Sequence, residues 1–212
     1  MNVIKDYFKK SKTKNPQQYK KFCFLNNIRS KYLTISLLCI SVLLTSYDIL
    51  ILQKTEDFGF FLINFKTDII LLVASFVFMI YIFFHQVKTY KEINKQHKLI
   101  HGLISVFILC WSAFKTSIYV ENNESCLYFY ISSVLILSII YLFPWYIYIS
   151  QFIFSIFFFS ISLILVNMNV INVFYNVLII FFFYLISLVG SSYIYYLQTN
   201  LFIKENENMI KN

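Results

Sequence analysis

Glycine and proline are almost missing from this chain of 212 residues, with three of the one and two of the other. Many membrane transport sites are built on helices interrupted by these residues, so their scarcity argues against a transporter. Charge is scarce as well, at 13% of residues, where an ordinary soluble domain carries roughly 25%. The four cysteines, Cys23, Cys39, Cys110 and Cys126, lie in separate segments with no CxxC pair. That leaves no readable disulfide framework or zinc site, and nothing calls for a cofactor. The first thirty residues are polar and basic and hold no short apolar core before a small-residue cleavage site. No cleavable signal peptide is therefore expected. No internal repeat is visible.

What the chain does have is apolar and aromatic. It is 59% hydrophobic and 21% aromatic, with a mean hydropathy of +0.68. A water-soluble fold of this size has too little interior to hide that much Phe, Ile and Leu. Apolar runs of roughly 17–25 residues read as transmembrane helices. The alternative, a β-barrel, needs segments of about ten residues with alternating polarity, and the runs here do not alternate. The expected class is an all-α, polytopic integral membrane protein. Six spans are predicted, over about 31–53, 69–85, 99–120, 127–143 and 146–166, and from 170 past Gly190. Pro144 and Trp145 make a tight re-entry between the fourth and fifth. The domain reading is a basic cytoplasmic arm over 1–30, a six-helix transmembrane domain over 31–198, and an exit helix over 199–212.

The formal charge of +8 would suggest nucleic acid on a soluble protein. Here the bases are sorted by connector, so the bilayer and its anionic headgroups are the expected partner, and nucleic acid is not. Nine lie in the first 31 residues (Lys5, Lys9, Lys10, Lys12, Lys14, Lys20, Lys21, Arg29, Lys31), four in the second connector (Lys88, Lys91, Lys95, Lys98), and Lys204 and Lys211 in the tail. Only Lys54, Lys66 and Lys115 fall on or near the other side. By the positive-inside rule both termini are cytoplasmic, in a plasma membrane. An N-x-S sequon at Asn123 would face outside, but the pattern is too common to carry weight.

Few residues could carry chemistry. Asp48 lies within the first span, near its outer end, and Lys115 lies at similar depth in the third. An ionisable group inside a membrane is a functional hypothesis by default, here a ligand or proton sensor; the bland readings are a structural pair or snorkelling side chains. Trp111 and Gln151 lie deeper and are candidates for lining a cavity. His97 and His101 share a helix face at metal-ligand spacing. The residues between them are Lys-Leu-Ile, so the Glu of the HExxH pattern is missing. His101 and Cys110 are nine residues apart, on opposite faces of a helix, which argues against a cysteine peptidase. Ser187, Gly190 and Ser191 are small residues on the last span that permit close helix approach, within the chain or across a dimer.

Four stretches carry a resemblance: LNNIRSKYLTISLL leading into the first span, with Asp48 at its far end; WSAFKTSIYVENNE leaving the third; PWYIYISQFIFSIFF turning into the fifth; and YYLQTNLFIKENENMIKN at the exit. The chain resembles the six-span N-terminal membrane regions of clostridial-type signalling proteins, which precede a GGDEF diguanylate cyclase domain or sometimes a histidine-kinase domain. The resemblance implies a sensory or regulatory input module, a homodimer, and a cytoplasmic output reached through the last helix. It departs from that pattern in having no GGDEF signature, phospho-acceptor helix or nucleotide loop before the last residue, Asn212. No catalytic residue carries over, and the chain is expected to be a sensor without its output. The runner-up reading is a small transporter or accessory membrane subunit. An intramembrane enzyme is disfavoured.

Overall fold

The structure is a computed structural model that describes residues 16–52, 58–121, 127–166 and 168–211. Six α-helices account for nearly all of these: α1 (Pro16–Leu52), α2 (Phe58–Phe84), α3 (Lys95–Glu121), α4 (Tyr128–Ile140), α5 (Trp145–Leu165) and α6 (Val170–Lys211). The expected all-α architecture is present, and five of the helices (all but α4) are long and apolar enough to cross a membrane. Lys10, Cys126, the Asn123 sequon and Lys54 fall outside the described residues.

The distribution of side chains is inverted relative to a water-soluble protein. Leu43, Phe84, Leu165, Val170 and Ile171 are exposed, whereas Ser30, Thr34, Ser41, Asp68, Ser105 and Lys115 are buried. A soluble monomer rarely exposes apolar patches beyond a few hundred Å². The pattern suits a lipid solvent, in which polar groups must find partners inside the protein. Most Ser and Thr side chains solve this locally by donating to a carbonyl one turn earlier, as Thr34 does to Ser30 (2.9 Å), Thr45 to Ser41 (2.7 Å) and Ser162 to Phe158 (3.0 Å).

The helices run alternately up and down. α1 and α2 form a closely packed hairpin, while α3, α4, α6 and α5 form a four-sided group in which each touches its two neighbours. Ile104, Ala113, Tyr130, Phe159, Leu163 and Ile180 are fully buried at its centre. A hydroxyl relay ties three sides together: Tyr130 donates to Ser155 (2.8 Å), and the Ser155 and Tyr184 hydroxyls bond at 2.6 Å. Tyr148 donates to Ser187 at 2.6 Å, joining α5 to α6 a second time.

Two helix starts show their local causes. Asn94 caps α3, its side-chain oxygen accepting the His97 amide at 3.1 Å. In the connector before it, Glu92 accepts hydrogen bonds from the Lys88 amide and the Thr89 hydroxyl, and these hold its carboxyl below the ordinary carboxylate range.

The short helix α4 has 13 residues, about 20 Å at 1.5 Å per residue. Pro144 sets its end, because the residue before a proline is pushed out of the α region. The carbonyls and amides freed by that break are answered by one face of α1. Arg29 donates to Ile140 O at 2.9 Å, and the Asn26 side chain both accepts the Leu142 amide (2.9 Å) and donates to the Leu142 carbonyl (3.4 Å). Ser30 joins the Tyr141 hydroxyl (3.0 Å) to His101 Nδ1 (3.1 Å). The boundary drawn at residue 31 therefore falls inside one continuous helix, and residues 22–30 pack into the bundle. Phe22 also meets Tyr195 of α6 edge-on at 4.8 Å. The starts of α1, α3 and α5 and the ends of α2, α4 and α6 thus lie at one end of the bundle. Replacing Asn26 with Leu, which fills the space but removes both backbone partners, is expected to cost about 1–3 kcal/mol, read as a shift in unfolding in mixed detergent micelles.

Candidate functional site

At the opposite end of the bundle three ionisable side chains meet. Asp68 projects from α2 and Lys115 from α3, and Lys115 Nζ donates to both carboxylate oxygens of Asp68, at 2.8 and 2.9 Å. Both side chains are essentially inaccessible, at 1% and 0% exposure. Asp48, from the last turns of α1, is buried beside them, within reach of the Asp68 carboxyl and in the field of Lys115. The direct partner of Lys115 is therefore Asp68, not Asp48. A second span beginning at 69 puts Asp68 in the connector before it. The apolar run FGFFLINF lets the helix start at Phe58, so Asp68 lies well inside it.

The charge count of this cluster is uneven. Asp68 and Lys115 cancel, and Asp48 is surplus. Its Oδ2 is buried with no hydrogen-bond partner, as are Asn64 Oδ1, one turn before Asp68, and Thr116 Oγ1, next to Lys115. An isolated carboxylate in an apolar interior is so costly that it normally acquires a proton or a counter-ion. Asp48 therefore carries the one carboxyl of the cluster that has no cation of its own, sharing a side-chain contact with Asp68 instead. Lys115 also sits 5.7 Å from the Tyr119 ring centroid, a further contact for its ammonium.

Trp111 links this cluster to a large cleft. Its indole N–H donates to Thr67 O at 3.2 Å, beside Asp68, while its ring forms part of a cleft of about 520 Å³ between α1 and α4. Gln151 is buried elsewhere, at a void of about 10 Å³ beside Tyr148 and Tyr184, room for one water at most. Ser187 and Ser191 are buried on the inner face of α6, whereas Gly190 is exposed with open space where a Cβ would stand. Ser187 is engaged by Tyr148 within the chain.

The histidines have other partners than a metal. His97 Nδ1 lies 2.7 Å from Asn94 Oδ1, and His101 bonds Ser30. Among the described residues no group of three His, Cys, Asp or Glu side chains is placed to hold a metal ion.

Sequence reasoning missed Asp68, and with it Asn26, Arg29 and Ser30. For Asp68 a signal existed: apolar residues flank Lys66-Thr67-Asp68 on both sides. For the α1 residues no pattern distinguished buried polar groups from a basic surface arm. Replacing Lys115 with Met strands two carboxyls in the interior and is expected to cost about 3–5 kcal/mol. Adding Asp68→Asn should recover much of that loss, and a double-mutant cycle in micelles measures the coupling.

The chain matches no protein-family model, and no curated protein or solved structure is significantly similar to it.

Proposed function

We propose that the chain is a sensory or regulatory input module of the plasma membrane. In this reading it crosses the bilayer six times with both termini cytoplasmic, and it relays the state of the Asp48–Asp68–Lys115 cluster through α6 to a cytoplasmic output. The observation that carries the proposal is the surplus buried carboxylate of Asp48, one helix away from a packed bundle that includes a single long exit helix. The stimulus in this reading is a proton or cation arriving from the outer side.

Three features support it. The fifteen-to-three sorting of basic residues favours cytoplasmic termini, and the alternating helices bring the start of α1 and the end of α6 to the same end. The cluster lies at the other end, hence on the outer side. Finally, α6 is unbroken over 42 residues, about 63 Å at 1.5 Å per residue, against a hydrocarbon core of about 30 Å. It is held at two depths, by Tyr148–Ser187 in the middle and Phe22–Tyr195 near the cytoplasmic end. A rigid rod gripped at two depths can carry a tilt or shift from one side to the other. The homodimer and the cyclase-like or kinase-like partner belong to this reading through the resemblance alone.

A transporter would need the polar site to communicate with both sides. Between the outer cluster and the inner layer of Asn26, Ser30, His101 and Tyr141 stand the buried apolar Leu33, Ile104, Ile108 and Leu109, together with the buried hydroxyls of Thr34, Ser41, Ser75, Ser105 and Ser112, each bonded to a carbonyl of its own helix. Hydroxyls already engaged in this way, packed among apolar side chains, favour a one-sided receptor over a passage.

Two measurements test the proposal. With the native cysteines replaced, a membrane-impermeant thiol reagent should label Asn169→Cys on intact cells and Lys204→Cys only after permeabilisation. The reverse pattern overturns the topology. For the relay, spin labels at Lys88→Cys and Lys204→Cys in nanodiscs should change their separation between mildly acidic and mildly alkaline buffer. Asp48→Asn should remove that change. An identical response in both proteins, or none in either, overturns the relay.

A further inference from the structure

α1 and α4 make little direct contact, Arg29 bonding the Ile140 carbonyl at one end, and a gap lies between them. The gap between them is the cleft of about 520 Å³, within the range of about 300–1,000 Å³ typical of small-molecule sites. Its α1 wall follows one helix face through Leu33, Leu37, Ile40 and Leu44, and its floor is Ile108 and Trp111. This face is apolar over about three helical turns, then ends in a single cation, Arg29.

Arg29 is half-buried, and its Nη1 donates to the Ile139 and Ile140 carbonyls. A guanidinium has five N–H donors, so several are left over. Among the described residues no carboxylate pairs with it, the ion pair there being Lys115–Asp68 at the other end. A long apolar slot open on its side, with a guanidinium that no described carboxylate pairs with at its cytoplasmic mouth, complements an amphiphile with one anionic group. Basic sites between helices on the cytoplasmic side take anionic lipid headgroups, and Arg binds phosphate in a two-pronged fashion.

We infer that the α1–α4 cleft holds an anionic phospholipid of the inner leaflet, with its phosphate on Arg29 and one acyl chain lying along Leu33, Leu37, Ile40 and Leu44 toward Trp111. The inference rests on the bilayer placement proposed above but not on the relay. It gives α1 a second duty, since the residue that caps α4 also selects the headgroup. It also places the lipid's methyl end beside Trp111, whose indole is bonded to the backbone next to Asp68, so an occupied cleft and the charge cluster share a wall.

The test uses the full chain with Trp145→Phe, which leaves Trp111 as the fluorophore. The protein is reconstituted in nanodiscs of zwitterionic lipid doped with phosphatidylglycerol whose chains are brominated near the methyl end. Trp111 should be quenched saturably at low mole fraction of brominated phosphatidylglycerol. Brominated phosphatidylcholine should require a several-fold higher fraction. Arg29→Gln, which keeps donors for the Ile140 carbonyl but loses the charge, should abolish that preference. Ser133→Phe, which fills the cleft from the α4 side, should remove the saturable component while leaving the unfolding transition in place. Equal quenching by the two lipids, or a preference that survives Arg29→Gln in folded protein, overturns the inference. Quenching unchanged by Ser133→Phe also overturns it, because the contact is then with ordinary boundary lipid. The relay can fail in its own spin-label experiment without altering any of these outcomes.

Discussion

A polar atom inside this bundle has no water to turn to, and that constraint organises the molecule. Ser and Thr side chains turn back on their own helices. Tyrosine hydroxyls reach across to serines on neighbouring helices. The broken backbone between α4 and α5 takes Asn26, Arg29 and Ser30 from α1. Each of these contacts also fixes geometry, because in a lipid solvent apolar faces alone say little about which helix should meet which. The apolar core around Ile104, Phe159 and Ile180 fills the space that the polar contacts define.

The same constraint separates the polar groups into two layers with different characters. Around the α4–α5 break the pairs Asn26–Leu142, Arg29–Ile140 and Ser30–His101 each close a need, and His101 Nε2 is the one buried side-chain atom there without a partner among the described residues. At the opposite end of the bundle Asp48, Asn64 and Thr116 each bury an oxygen without a partner. Satisfied networks rigidify, and unsatisfied ones invite a ligand or a rearrangement. That difference is why the proposed input lies at the Asp48 end and the proposed anchor at the Asn26 end. The helix α6 touches the start of α1 through Tyr195 and the mid-bundle hydroxyls through Tyr184 and Ser187, and it meets the Asp48 cluster only by way of α4 and α5, which pack on α3.

Much of the architecture was legible in composition. Apolar runs of spanning length predicted the helices, and Pro144 predicted the turn before α5. The site was legible only in part. Asp48 and Lys115 stood out because charge is rare in such runs, and the structure does bring them together, although through Asp68. Trp111 and Gln151 were grouped as cavity residues, yet they border different spaces on different sides of α3. Ser187, Gly190 and Ser191 were grouped by size, yet only the serines face inward. Residues one turn apart in a helix share a face, but which face meets a neighbour depends on the rotation of the whole helix, and apolar residues all around leave that rotation unmarked.

The sequence by itself determined the solvent this chain is suited to, the helical class and the positions of most helix ends, because these depend on local hydropathy, proline and capping groups. Only the tertiary structure decided that Lys115 pairs with Asp68, that Asp48 is left over, and that the start of α1 is buried support for the α4–α5 break. Those outcomes depend on distances between segments 20 to 116 residues apart in the chain. No local pattern encodes such distances; they emerge when six rods of similar greasiness settle into the one arrangement that leaves the fewest polar groups without a partner.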